Sequence, residues 1–305
     1  MNIQQLRIVR ETVRRSFNLT DVSAALFTSQ SGVSKHIKAL EEELGVELFV
    51  RRGKRLIGLT EPGKEVAAIV DRMLADASSI RAIANEFAAR DVGRLTVATT
   101  HTQARYALPK VVAAFKREFP KVHLVLHETS AREIVAMLRD GQADIGIATE
   151  ALAEAEDFVV FPYYTWRHAV VVPKGHPLVG KRDVSLADIA AHPIVTYRDG
   201  FTGRATIDRA FEAAGLSPDI VMSALDADVI KTYVESGLGI GILASMACVD
   251  GRDAMLEVLE AESLFDSNTT VIALRRGQFL RGFAFRFMAL CSPEISEAEV
   301  RERIA

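Results

Sequence analysis

The chain has 305 residues, of which 49% are hydrophobic and 25% are charged, and its formal net charge is −3. This balance excludes a disordered or fibrous chain and predicts a soluble globular protein of two or three domains. The apolar runs are too short to span a bilayer, and the charged N-terminus lacks the apolar segment of a secretion signal. We therefore expect a cytoplasmic protein.

The chain carries none of the common catalytic signatures. Cys248 and Cys291 lie far apart and match no metal-binding or redox spacing, which predicts two free buried thiols. Gly237, Gly239 and Gly241 resemble a dinucleotide fingerprint, but they follow a predicted helix and lead into a strand, the reverse of what phosphate binding needs. We predict that the protein is not an enzyme, with no catalytic residues, no cofactor and no metal site.

Charge is distributed unevenly along the chain. Residues 1–60 contain ten lysines and arginines but six acidic residues, so this region carries about +4 and the remainder about −7. A basic N-terminal region on an acidic body predicts that only the N-terminal region meets a polyanion.

Residues 20–48 scan as two short helices joined by a tight turn, the pattern of a helix-turn-helix that reads the DNA major groove. We expect Thr20 to cap the first helix, Ser29 to cap the second, and Gly45 to end it. The buried stripe of the second helix is predicted to be Val33, Ile37, Leu40 and Leu44. A plain helical hairpin with surface lysines remains the alternative.

Polar and basic residues lie off that stripe and are candidates for DNA contact. Those on the second helix are Gln30, Ser31, Ser34, Lys35 and Lys38. Two β-prone runs then flank Gly53, which predicts the wing of a winged helix. Its tip carries Arg51, Arg52, Lys54 and Arg55, placed to meet the phosphate backbone.

A long helix is predicted over residues 61–90, with Glu61 and Pro62 in its first turn. Apolar residues recur along it at alternating steps of four and three, which is a coiled-coil seam. They are Val66, Val70, Met73, Ala77, Ile80, Ala84 and Phe87. We expect this seam to pair two copies of the chain, since a dimer reads two DNA half-sites. Packing of the helix on its own protein is the alternative.

From Gly93 onward, short apolar strands alternate with helices, which predicts parallel, doubly wound sheets in two small α/β lobes. Strands are predicted at residues 95–100, 122–128, 143–149, 168–173, 192–197, 219–224, 240–243 and 269–276. Helices are predicted at residues 103–118, 130–141, 204–214 and 227–236. The function of residues 293–305 is left open, and a terminal helix is expected there.

Polar loops at strand ends predict one ligand site. Thr100-His101-Thr102-Gln103 follows a strand and starts a helix, Thr149 ends another strand of the same lobe, and Thr202 starts a helix of the second lobe. Hydroxyls, an amide and helix N–H groups there suit an anion. Arg105 and Arg204 are possible sources of charge. Each threonine taken alone is as readily an ordinary helix cap.

Several stretches together resemble the LysR-type transcriptional regulators over nearly the whole chain. They are SQSGVSKHIKALEEELGVELFVRRGKR from Ser29, TEPG from Thr60, THTQARYALP from Thr100 and ALDADVIKTYVE from Ala224. The resemblance implies a multidomain α+β and α/β fold. Residues 1–60 would form the winged helix-turn-helix, 61–90 the linker and dimerisation helix, and 91–305 a two-lobe effector domain resembling periplasmic binding proteins. Lobe I would hold about 91–162 and 269–292, and lobe II about 163–268.

Within that family the chain resembles the regulators of sulfur assimilation, namely the cysteine-biosynthesis activator and its sulfonate-regulator sisters. The resemblance implies effector contacts at Thr100, Thr102, Gln103, Thr149 and Thr202, with Trp166 and Tyr197 as neighbours. It implies promoter DNA as a partner and an effector among acetylserine, sulfate or thiosulfate, and adenosine phosphosulfate. It also implies a homotetramer, a dimer of dimers.

Two alternatives stay open at this point. One is a LysR-type regulator of sulfonate use or of an unrelated pathway, with another effector such as an aromatic acid. The other is a cytoplasmic small-molecule-binding protein or enzyme in which the helix-turn-helix is incidental. An absence of salt-dependent DNA binding would favour the second.

Overall fold

The computed structural model describes residues 1–53, 55–88, 91–149, 152, 157–249, 253–259 and 261–305, without the side chains of 81–83, 85–88 and 262. The chain divides into two compact units, Met1–Ala84 and Asn85–Ala305. Among the described residues, no helix combines the length and the apolar character that a bilayer crossing requires.

The first unit is three helices, a two-stranded hairpin and the start of a long helix. Its elements are α1 (Ile3–Arg14), α2 (Leu19–Ala25), α3 (Gln30–Leu44), β1 (Phe49–Arg52), β2 (Arg55–Leu59) and α4 (Glu61–Ala88). The core lies between the helices and the base of the hairpin. This is the predicted winged helix-turn-helix.

The ends of α2 and α3 follow from local capping. Helix α2 begins at Leu19, and the Asn18 side chain accepts the Thr20 N–H at 3.1 Å. The prediction of Thr20 as the cap was wrong, because Asn18 already supplies the acceptor two residues earlier. Ser29 caps α3 as predicted, with its Oγ accepting the Gly32 N–H at 3.0 Å, and Gly45 ends it at φ +71°.

The buried stripe of α3 is shorter than predicted. Val33, Ile37 and Leu40 are at most 2% exposed, whereas Leu44 is 40% exposed. Leu44 is the last residue of the helix, and the chain turns immediately afterwards at Gly45. Leu48 and Phe49, both fully buried, complete the core in its place.

Helix α4 divides its apolar residues between two faces. Val70 and Leu74 are buried in the core of the first unit, so that part of the helix packs on its own protein. The predicted seam residues Met73 and Ile80 are exposed, as is Ile69. The Phe87 side chain lies outside the described set. A single seam was therefore the wrong description, because Val66 and Val70 belong to the inner face.

The second unit contains two five-stranded sheets. Its strands are β3 (Gly93–Thr99), β4 (Val122–Glu128), β5 (Ile145–Ala148), β6 (Phe158–Trp166), β7 (His168–Pro173), β8 (Ile194–Tyr197), β9 (Ile220–Ala224), β10 (Ile240–Ala244), β11 (Leu256–Leu259) and β12 (Asn268–Arg275). Its helices are a π-helical turn (Gln103–Ala107, the π turn), α5 (Pro109–Glu118), α6 (Ala131–Arg139), α7 (Leu186–Ala190), α8 (Arg204–Ala213), α9 (Ala227–Glu235), α10 (Gly282–Cys291) and α11 (Glu297–Ile304). Short 3-10 turns lie at Ser245–Ala247 and Glu262–Leu264.

The sheets are mixed, which corrects the prediction of parallel sheets. The orders are β4-β3-β5-β12-β6 in the first lobe and β11-β7-β10-β8-β9 in the second. Strand β12 runs antiparallel to β5 and β6, and β7 runs antiparallel to β10 and β11. The chain crosses between the lobes by continuing from β6 directly into β7, and it returns to the first lobe through β12. Strand β6 stays in the first sheet to Trp166, beyond the expected lobe boundary at 162–163.

Strands β6 and β11 and helices α7 and α10 were not predicted. Helix α10 is apolar around most of its circumference and lacks an amphipathic pattern, which hides it from periodicity. It packs on α5, with Phe287 and Phe115 rings 5.4 Å apart. The terminal helix expected within residues 293–305 is α11.

Candidate DNA-binding surface and effector cleft

The N-terminal half of α3 presents a polar surface. Gln30, Ser31, Lys35 and Lys38 are exposed and Ser34 is half-buried, while the apolar residues of α3 face the core. This is the arrangement in which a recognition helix inserts its first turns into the major groove. Lys38 also lies 3.5 Å from Glu42, a solvent-exposed pair of little energetic weight.

The wing is an antiparallel hairpin that pairs Phe49 with Leu59 and Arg52 with Arg55. Arg52 and Arg55 are exposed, and Gly53 between them adopts φ +63°. Lys54 lies outside the described residues. Arg52 and Arg55 are therefore solvent-exposed cations of the hairpin that can approach a phosphate backbone.

Arg51 differs from its neighbours because it is held by Glu41. The Glu41 carboxylate is 8% exposed and accepts the backbone N–H groups of Leu48 at 2.9 Å and Phe49 at 3.2 Å. Arg51 Nη2 donates to its second oxygen at 2.6 Å. One carboxylate thus ties α3 to the base of the wing, a link that sequence analysis missed.

Alanine substitution of Arg52 and of Arg51 should have different effects on DNA binding and stability. Arg52→Ala is expected to lower the slope of log binding constant against log salt by about one, because one phosphate contact releases about one counterion. Arg51→Ala should leave that slope nearly unchanged and lower the thermal stability of the first unit. Fluorescence anisotropy over a salt series measures the slope. Equal slope changes in the two variants would show that Arg51 also contacts DNA.

The predicted ligand loops of the first lobe lie at one sheet edge. Strands β3 and β5 run parallel with Thr99 opposite Ile147, so the loop from Thr100 and the residue Thr149 leave the sheet side by side. Thr100 is 5% exposed, and Thr102 and Gln103 are fully buried. The ends of two neighbouring parallel strands thus supply the polar lining.

In the second lobe, a strained turn holds Thr202. Its φ is +40° and that of Gly203 is +73°, both in the left-handed region. A Cβ on Gly203 would lie 2.8 Å from His168 Cε1, so glycine is required there. The Thr202 carbonyl accepts from His168 Nε2 at 3.3 Å, which anchors the turn in front of α8.

Two threonine hydroxyls are buried without a hydrogen-bond partner among the described residues, Thr102 Oγ1 and Thr202 Oγ1. They come from opposite lobes, and their chain neighbours His101 and Phe201 line the same cleft. A buried hydroxyl left unsatisfied destabilises a protein by about 1–3 kcal/mol. Both hydroxyls therefore retain hydrogen-bonding capacity that a polar ligand could use.

Three further predicted residues meet around Thr270, a fully buried side chain that sequence analysis had not selected. Gln103 Nε2 lies 3.2 Å, Trp166 Nε1 3.1 Å and Thr149 Oγ1 3.4 Å from Thr270 Oγ1. The Tyr164 hydroxyl donates to Gln103 Oε1. Burial raises the pKa of Tyr164 to about 12, against the opposing influence of Thr270 and Gln103.

Tyr197 and His168 form the neutral inner wall of the second lobe. The Tyr197 hydroxyl accepts the Ala244 N–H at 3.1 Å. Burial raises the Tyr197 pKa, which the Ala244 N–H partly opposes. The Thr102 hydroxyl lies near enough to oppose this rise in pKa as well, but it is outside hydrogen-bonding geometry with Tyr197. Burial lowers the His168 pKa to about 4, so the ring is uncharged near neutral pH. Neither Tyr197 nor His168 therefore brings a formal charge to the site.

The two arginines considered as sources of charge point elsewhere. Arg105 Nε lies 2.6 Å from Asp228. Arg204 donates to the Tyr197 carbonyl at 2.6 Å and to Asp208 at 2.8 Å. The threonine site therefore offers hydroxyl and amide groups instead of cations, and any anion there would be held by neutral hydrogen-bond donors.

The cleft outside these threonines has a volume of about 350 Å³. Both lobes line it, with His101, Glu128, Thr129, Ser130 and Glu133 on one side and Arg198, Phe201, Leu225 and Asp226 on the other. This space suits a small polar ligand, and Arg198 is the exposed cation at its mouth.

The π turn connects the ligand loops to the second lobe. It begins at Gln103, immediately after Thr102, and carries Arg105 and Tyr106. The Tyr106 hydroxyl donates to Asp228 on α9 at 2.8 Å, beside the Arg105 ion pair. One short turn therefore bears Gln103, a predicted effector contact, together with the Arg105 and Tyr106 contacts across the lobes.

A winged helix-turn-helix with a polar recognition face, followed by a separate two-lobe unit with a buried polar cleft, defines a ligand-responsive DNA-binding regulator. Residues 3–64 match the model of the bacterial regulatory helix-turn-helix protein, lysR family, and residues 88–295 match the LysR substrate binding domain. The chain belongs to the LysR family of transcriptional regulators and is not an enzyme.

Two curated transcriptional regulators match the chain over nearly their full length. The chain is 57% identical over 300 residues to the HTH-type transcriptional regulator SsuR of Burkholderia cenocepacia, covering 98% of this chain and 97% of SsuR. It is 48% identical over 304 residues to the HTH-type transcriptional regulator CysB of the same organism, covering 100% of this chain and 97% of CysB. The crystal structure of the cofactor-binding domain of the Cbl transcriptional regulator has a TM-score of 0.68 and 46% identity, over 70% of this chain and 93% of that one.

Proposed function

We propose that the protein regulates genes of sulfur assimilation, including sulfonate use or cysteine biosynthesis, in response to a small sulfur oxyanion or acetylserine. The observation that carries this proposal is the pair of buried, unpartnered hydroxyls of Thr102 and Thr202 on opposite lobes. A tetrahedral oxyanion or a carboxylate offers acceptors to such hydroxyls. A fully apolar ligand would leave them unsatisfied.

The similarity to SsuR, CysB and Cbl supports the sulfur assignment. The contacts proposed for the effector are those of Thr100, Thr102, Gln103, Thr149 and Thr202, with Trp166 and Tyr197 behind them. Candidate ligands are sulfate, thiosulfate, adenosine phosphosulfate, sulfonates and acetylserine.

A second copy of the chain is the partner proposed for α4. Ile69, Met73 and Ile80 are exposed on its outer side. Spacings of four and seven place them on one face of the helix, where a partner helix can cover them. Such a dimer presents two recognition helices to two half-sites. Two dimers joined through their effector domains would make the tetramer.

DNA binding and ligand binding should be separable. The double variant Ser34→Ala with Lys35→Ala is expected to lose operator binding but to keep its response to ligand. The response is thermal stabilisation in sulfate- and phosphate-free buffer, about 2.7 kcal/mol at a hundredfold excess over Kd. The panel contains sulfate, thiosulfate, acetylserines, adenosine phosphosulfate, alkanesulfonates and aromatic acids.

Each outcome of the panel has a definite meaning. Stabilisation by sulfur anions or acetylserines supports the proposal. Stabilisation by aromatic acids alone refutes the sulfur assignment but does not affect the proposed DNA-binding function. Loss of both DNA binding and ligand response in the double variant would refute separate roles for the two units. If the wild-type protein showed no salt-dependent DNA binding, the role proposed for α3 and the wing in DNA binding would be refuted.

A further inference from the structure

Thr270 is a fully buried residue beside three of the proposed effector residues, and the proposed function assigns it no role. It lies on β12, the strand that returns the chain to the first lobe. Its hydroxyl is fully buried and is within hydrogen-bonding distance of Gln103, Trp166 and Thr149. Three polar neighbours around one hydroxyl restrict where its single hydrogen can go.

The direction of each hydrogen bond follows from the chemistry of the partners. A hydroxyl has one hydrogen and two lone pairs. The Trp166 indole N–H can only donate, and it lies 3.1 Å from Thr270 Oγ1. Gln103 turns its Nε2 towards Thr270, because its Oε1 accepts the Tyr164 hydroxyl. Both lone pairs of Thr270 are then occupied.

The hydrogen of Thr270 is left for Thr149, whose Oγ1 is 3.4 Å away. The Tyr164 hydroxyl lies near Thr270 as well and gives its own hydrogen to Gln103, but no hydrogen bond of the described residues joins it to Thr270, whereas Thr149 is within hydrogen-bonding distance. Once Thr149 accepts from Thr270, its own hydrogen points away from Thr270. Thr149 follows the last residue of β5 at the sheet edge shared with the Thr100–Gln103 loop, so that hydrogen is available to a ligand there.

We propose that Thr270 is a positioning residue that fixes Thr149 as a hydrogen donor, so that the cleft selects a fully ionised oxyanion over one that carries a proton. The inference rests on the proposed function, since it specifies the ligand of that site. Sulfate and sulfonates only accept hydrogen bonds. Phosphate near neutral pH carries a proton, and the oxygen that bears it accepts a hydrogen bond less well than an unprotonated oxygen, so a fixed donor at Thr149 favours the fully ionised anion.

Sulfate and phosphate provide the test, because they share shape and similar size. Titration calorimetry of the full chain near neutral pH is expected to show sulfate bound at least about a hundredfold more tightly than phosphate, and Thr270→Val should reduce that ratio about tenfold, the size of one hydrogen bond. The loss should fall mainly on sulfate. Thr270→Ser retains the hydroxyl and should restore the wild-type ratio, which a purely steric role of the threonine methyl would not do.

A second variant tests the inference without removing Thr270. Trp166→Phe removes the indole N–H, frees one lone pair of Thr270 and should also lower the sulfate-to-phosphate ratio. An unchanged ratio in folded Thr270→Val, or in Trp166→Phe if Thr270→Val does not fold, would overturn the inference. A wild-type protein that binds sulfate and phosphate equally would overturn it as well. A wild-type protein that binds neither sulfate nor sulfonates nor acetylserine would overturn the proposed function itself.

Discussion

Replacing both Thr102 and Thr202 by valine is expected to abolish the response to effector while making the ligand-free protein more stable. Valine keeps the shape of threonine, and neither hydroxyl has a protein partner among the described residues. Removing each one relieves an unsatisfied buried group worth about 1–3 kcal/mol, and removes a ligand contact of similar or greater size. The melting temperature should rise, and effector affinity should fall by about a hundredfold or more.

Thr196→Val is the matched control for this double variant. Thr196 is also fully buried, but its hydroxyl donates to the Ile242 carbonyl at 2.8 Å. Its loss should lower stability by about 1 kcal/mol and leave effector affinity unchanged. If the double variant is destabilised as Thr196→Val is, or still responds to effector, then the two hydroxyls serve the fold and do not bind the ligand.

Glu41→Ala is expected to loosen the wing and to destabilise the first unit by about 3 kcal/mol. It leaves the Leu48 and Phe49 N–H groups without their acceptor in a buried place, and frees Arg51 from its ion pair. Operator affinity should fall because the wing is no longer tied to α3, although the substitution also removes a negative charge that repels phosphate. Amide hydrogen exchange measures the effect directly, since protection at Leu48 and Phe49 should drop the most.

Two further variants, at Glu41 and at its neighbour Glu42, separate the effect of the lost hydrogen-bond acceptor from the effect of the lost charge. Glu41→Gln keeps a side-chain oxygen for the two N–H groups but loses the charge, so it should retain most of their protection. Glu42→Ala removes an exposed glutamate whose nearest cation is Lys38 at 3.5 Å, and it should change stability by less than about 0.5 kcal/mol. Unchanged protection at Leu48 and Phe49 in Glu41→Ala would contradict the role assigned to this carboxylate.

Local patterns were sufficient to predict the parts of the molecule that depend on neighbours in sequence. Ser29 and Gly45 bound α3 for reasons contained within a few residues. The polar lining at Thr100 and Thr149 followed from the rule that parallel strands end at a common edge, and β3 and β5 are parallel. The Arg52–Arg55 hairpin tip was equally local.

Contacts between residues that are distant in sequence could not be predicted from local patterns. Thr270 is 167 residues from Gln103, and it enters the site on an antiparallel strand whose direction no periodicity reveals. Arg51 resembled any other wing cation until the buried Glu41 was seen beside it. The α4 pattern could not separate residues that face the protein's own core, such as Val70, from those left exposed, such as Ile80.

The π turn has a consequence for how the regulator can be tuned. Thr102 and Gln103 are the residues proposed to contact the ligand, whereas Arg105 and Tyr106, which follow them in the π turn, bind Asp228 across the lobes. If the lobes must close for tight binding, the apparent affinity contains the closure free energy as well as the ligand contacts. Sensitivity and selectivity would then reside in different residues. Related regulators could adjust the concentration that triggers them through the Asp228 contacts, while the identity of their signal stays the same.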